Sequence, residues 1–154
     1  MLETFKKSPI VAIVEEKNLG EIQVCFENQE RSIVSLHVGA IKGELSPVEK
    51  KKLILRLFQK TSNLLRNSPN FKNVEYVVIC SWIVRQAPKL IQSFGFNYDN
   101  VPEDLQRIKK RMLEKYNLKR FDGSLEIKLE HRLVKPEFAY SSLESFIKNH
   151  GQNE

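Results

Sequence analysis

The sequence predicts an α+β protein: a mixed, mostly antiparallel sheet that carries one parallel βαβ crossover, with helices on both faces. Three observations predict it. Residues 10 to 40 read as three short β-rich runs separated by turn residues, the pattern of an antiparallel meander. Ser46-Pro47-Val48-Glu49 then opens a long amphipathic helix. Val74 to Val84, VEYVVICSWIV, follows with almost no polar face, as a strand covered on both sides would. A strand, a helix of this length and a second apolar strand make a parallel crossover unit. The 154 residues suit a single domain, 1–154, large enough to bury a core.

In chain order, Ile10 to Glu16 (IVAIVEE) is the first strand and Asn18-Leu19-Gly20 its turn. Glu21 to Glu27 alternates, with Ile22, Val24 and Phe26 on one face. Asn28-Gln29-Glu30 turns the chain into a third strand, Arg31 to Ala40. The long helix carries Leu53, Leu57, Thr61 and Leu64 at helical spacing and stops at Asn67-Ser68-Pro69. After the apolar strand, a short helix begins near Pro88 and ends at Gly95-Phe96. Asn100, Pro102 and Glu103 open a strongly basic helix over residues 103–119, with Leu105, Ile108 and Met112 as a narrow apolar stripe. Leu125 to Leu133 alternates and reads as a half-buried strand, with His131 on its apolar face. Ser141 and Glu144 have the spacing of a second capping box, with Tyr140 at the mouth of a final short helix.

Hydrophobic residues make up 41% of the chain and charged residues 29%, a globular balance. No apolar run approaches the roughly 20 residues that span a bilayer, so the expectation is a cytoplasmic protein with no membrane contact. Cys25 and Cys80 fall inside predicted strands, away from any histidine cluster. They read as reduced core cysteines, with no metal site expected. The net charge of +6 favours an acidic partner.

The order meander, strand, long helix, central strand, short helix and Gly-Phe pair resembles the GNAT acetyltransferase family. The likeness covers roughly Ile10 to Phe96. It rests on the passage His37-Val38-Gly39-Ala40 into the Ser46 helix, and on Ala87 to Phe96 with its Gly95-Phe96 end. The resemblance implies a GNAT-like fold that moves an acyl group from acetyl-CoA, or another acyl-CoA, to an amine. It implies that the strand and loop before the long helix hold the pantetheine arm and pyrophosphate. Those positions here are Leu36, His37 and Val38 on the strand, then Gly39, Lys42, Gly43 and Ser46. The Val38 amide is the implied oxyanion donor. The chain departs from the family pattern in three places. The loop AIKGELSP lacks the usual (Gln/Arg)-x-x-Gly-x-(Gly/Ala) order. About nine residues stand before the first strand, where the family has two helices. Arg85, Gln86 and Lys89 stand where the family often has a proton-donating Tyr.

His37, on the strand that would line such a groove, is the candidate general base. Glu27, closing a neighbouring strand, is the candidate carboxylate to take a proton or hold the amine, as are Glu15 and Glu16. The competing reading is a structural histidine on a sheet face and solvated carboxylates at strand ends. Ser81 and Trp82 read either as pocket lining or as core. The basic helix 103–119 supports another class, a non-catalytic GNAT-like module that contacts nucleic acid or protein.

Overall fold

The computed structural model describes residues 10–16, 19–38, 43–81, 88–121 and 137–151. They form an α+β structure with a five-stranded mixed sheet in the order β1-β2-β3-β4-β5. The strands are β1 (Ile10–Glu16), β2 (Gly20–Phe26), β3 (Ile33–Val38), β4 (Tyr76–Ser81) and β5 (Glu137–Ser142). The helices are α1 (Pro47–Asn67), α2 (Pro88–Ser93), α3 (Glu103–Phe121) and α4 (Leu143–His150). β1, β2 and β3 form the antiparallel meander. The entrances to β3 and β4 lie side by side, since the amides of Glu75 and Tyr76 both donate to Ser32 O, at 2.6 and 3.1 Å. These two strands are the parallel pair that the crossover predicts. Just past β5, Leu143 N donates to Glu75 O (2.7 Å), so the end of β5 meets the start of β4. The expected strand Arg31 to Ala40 is shorter at its start. Arg31 takes a left-handed φ of 59° in the turn, and Asn28 Oδ1 accepts from the amides of Ser32 and Ile33. The strand expected from Val74 starts two residues later, and its positions 82–84 lie outside the described residues.

The chain packs as two compact units, and the division passes through β4 and β5. One unit comprises the described residues of 8–77 and 141–154. Its centre is α1, which packs on β1, β2 and α4. Leu53, Leu57, Phe58 and Leu65 turn inward from the helix and are fully or nearly fully buried. Each such side chain stabilises the fold by about 1.5–3 kcal/mol through burial. Arg56 Nε reaches Glu16 Oε1 at 3.2 Å, and Lys60 pairs with Glu16 Oε2, which ties β1 to the helix. The Phe58 ring meets Phe146 edge-on at 5.8 Å and His150 at 5.1 Å, which seats α4. The cap of α4 is Ser142, not Ser141: Ser142 Oγ accepts from Ser145 N at 3.1 Å. Strand β5 runs to Ser142 and so shifts the helix start by one residue.

The other unit holds the described residues of 78–140. Gly95 takes φ 93° after α2, and Phe96 N returns to Ile91 O (3.3 Å), the helix stop expected of Gly-Phe. Leu105, Ile108 and Met112 of α3 are buried, as the narrow stripe predicts. Asn97 and Tyr140 exchange two backbone hydrogen bonds of 2.8 Å. The Tyr140 hydroxyl donates toward the carbonyls of Asp99 and Asn100, at 3.1 and 3.0 Å. Tyr140 therefore pins the turn that enters α3. The expected strand Leu125 to Leu133, with His131, lies outside the described residues.

Candidate functional site

Strand register decides which side chains meet. In an antiparallel pair, directly opposed residues share a face. Ile22↔Val38, Val24↔Leu36 and Phe26↔Val34 are opposed on one face, and Val14 and Glu16 of β1 join them. The ion pair of Glu16 with α1 identifies this as the face under the helix. The opposite face carries Ile13, Gln23 and His37 in one row across three strands, Glu15 and Glu21 in the next, and Cys25 opposite Ser35.

On that face Ser35 joins the two candidate catalytic residues. Its hydroxyl donates to Glu27 Oε2 at 2.6 Å and lies 3.1 Å from His37 Nε2. Ser35 is fully buried, Glu27 is 5% exposed and His37 is half-buried. A hydroxyl has one proton to give. With that proton on the Glu27 side, Nε2 must be the donor to Ser35, which assigns the ring its Nε2–H tautomer. The accepting nitrogen of the neutral ring is then Nδ1. A positive charge developing on the ring is stabilised through Ser35 toward a buried carboxyl. In chemical terms this is an imidazole whose Nε2 meets a serine hydroxyl that is itself tied to a buried carboxyl. Gln23, directly opposite His37, donates its own amide to Glu21 (3.0 Å).

Glu27 is thus not the solvated carboxylate of a strand end, and neither is Glu16, which is buried beside Arg56 and Lys60. Lys60 and Arg56 hold the Glu16 carboxyl below its ordinary value, the hydrogen bond from Lys60 being the largest cause. Glu15 remains exposed. Ser35 was not among the sequence candidates. The pattern Ser35-x-His37, two residues apart on one strand face, was the available signal.

The residues expected to hold acyl-CoA divide. Leu36 is buried under α1, and Val38 is 41% exposed at the end of β3. Gly39 and Lys42 lie outside the described residues. Gly43 takes φ +87° with open space around it. Ser46 caps α1, its Oγ accepting from Glu49 N at 3.2 Å while Glu49 Oε1 accepts from Ser46 N at 3.1 Å. Pro47 has no amide hydrogen. Of the three amide N–H groups from 46 to 49, only that of Val48 is left outside this box. The backbone of Ser46 also holds the Glu49 carboxyl below its ordinary value, keeping a negative charge where a diphosphate would sit. The start of α1 is therefore a poor seat for an anion, and a diphosphate needs other donors.

Among the described residues, no group of three or more His, Cys, Asp or Glu is placed to hold a metal ion. None of their helices is long and apolar enough to cross a membrane. Comparison with family models, curated proteins and solved structures finds no match to this chain.

Proposed function

We propose that this chain is a GNAT-like N-acyltransferase that moves an acyl group from an acyl-CoA to an amine, with His37 as general base. The observation that carries this reading is the chain Glu27–Ser35–His37, which pairs a half-buried imidazole with a buried carboxyl through one hydroxyl. The parallel β3–α1–β4 crossover supports the scaffold that the resemblance implies. In this reading His37 takes a proton from the amine as its nitrogen attacks the thioester carbonyl. The Val38 amide faces the oxyanion that forms. The carbon–sulfur bond then breaks, and the proton goes to the departing thiolate.

A second reading is favoured by a specific observation. The Ser46–Glu49 box occupies two of the helix-start amides that the pyrophosphate of acyl-CoA would use, and Pro47 removes a third. This favours a GNAT-like module without catalysis, which contacts nucleic acid or protein through the basic helix 103–119. Thermal unfolding with acetyl-CoA and longer acyl-CoAs separates the two. A ligand that binds only the folded state at 100 times its dissociation constant stabilises it by about 2.7 kcal/mol. The enzyme reading expects such a shift, larger in Glu49→Gln, which keeps a capping side chain and removes the charge. No shift in either protein at millimolar acyl-CoA refutes the enzyme reading and leaves the module.

A further inference from the structure

Helix α1 concentrates charge on the surface it does not bury. Its 21 residues hold six lysines and arginines against one glutamate, a net +5 where the whole chain carries +6. Lys50, Lys51, Lys52, Arg56, Lys60 and Arg66 are all exposed. The apolar stripe of the helix is buried, so these cations stand on a rod whose rotation is fixed by packing. Lys52, Arg56 and Lys60 follow one another four residues apart. They form one row with about 6 Å of rise between positions. Every second phosphate of a duplex strand recurs at about 7 Å along the axis, a similar spacing. Lys51 flanks the row. Arg56 and Lys60 are steadied by Glu16 yet keep side chains 48% and 51% exposed. The large apolar side chains exposed on α1 are Val48 and Leu55. Two such residues are too few for a helix that lies in a membrane surface. The partner this face fits is a polyanion met by charge alone.

We propose that the exposed face of α1 binds the phosphodiester backbone of nucleic acid through Lys51, Lys52, Arg56 and Lys60, without reading sequence. This surface is independent of acyl transfer and of the basic helix α3. The test is fluorescence anisotropy of the full chain with mixed-sequence DNA of about 30 nucleotides, single-stranded and duplex, between about 25 and 200 mM NaCl. Four phosphate contacts predict a slope of log affinity against log salt of about −3.6 on duplex. Lys51→Glu with Lys52→Glu should lower affinity at least about tenfold at low salt and reduce the slope by about 2. Both side chains are exposed and lie off the buried stripe of α1, so reversing them removes no packing contact, and a thermal unfolding curve of the variant checks that it folds. Lys109→Glu with Lys110→Glu, in α3, should leave the slope unchanged. The proposal is overturned if the wild type does not bind at low salt, or if the α1 reversal changes nothing. It is equally overturned if the α3 reversal removes the whole slope, or if phosphatidylserine vesicles bind and DNA does not.

Discussion

The Ser35 hydroxyl is shared by two partners that sit ten residues apart in sequence, and removing it exposes how far each depends on the other. Ser35→Ala takes the 2.6 Å donor from a buried carboxyl. Losing a partner of a buried polar group costs about 1–3 kcal/mol, so the urea midpoint should fall accordingly. An unchanged midpoint would mean that the Ser35–Glu27 bond contributes nothing to the fold. Glu16 offers a test by pH. Its carboxyl is held below the ordinary value of 4.5 by Lys60 and Arg56. A carboxyl depressed in the folded state adds stability above its unfolded value and loses it as pH falls through the folded value. Stability should therefore decline as pH drops below about 4.5. Glu16→Gln should flatten that decline in denaturation curves collected across the acid range. An equally steep decline in the variant would assign the acid sensitivity to other carboxyls.

Helix α1 shows what local sequence determines. Ser46, Pro47 and Glu49 lie within four positions, and the capping box forms as their spacing predicts. Ser46→Ala should cost about 1 kcal/mol, read from thermal unfolding; a loss below about 0.2 kcal/mol would make this cap incidental to the fold. Gly95 was legible for the same reason, since its φ of 93° is demanded by the turn next to it. Strand β5 was not legible. Its residues EFAYSS lack a clean alternation, and Ser141-Ser142 gives a helix-cap signal that competes with the strand. What makes it a strand is non-local: the bonds of Tyr140 to Asn97 and of Leu143 to Glu75. The relay had the same limit. Glu27 and His37 could be picked by residue type and strand position. Ser35 becomes significant only once the Asn28 turn sets the register that opposes it to Cys25 and brings it to Glu27.

At the scale of the molecule, the parallel β3–α1–β4 crossover and the antiparallel meander leave one sheet face for α1 and place the polar relay on the other. The capping box that makes α1 a sharp, well-formed helix also fills its N-terminus with the protein's own groups. The proposed acyl transfer requires that His37 meet an amine and an acyl thioester together. The direct measurement is amine-dependent thiol release from acetyl-CoA and longer acyl-CoAs, comparing the wild type with His37→Ala across a panel of primary amines. Acyl transfer with His37 as general base predicts release by the wild type that requires an amine and falls by about 10²–10⁴-fold in His37→Ala, the usual span for a general base. Amine-dependent release that survives the loss of His37, or none from the wild type with any donor, would contradict it.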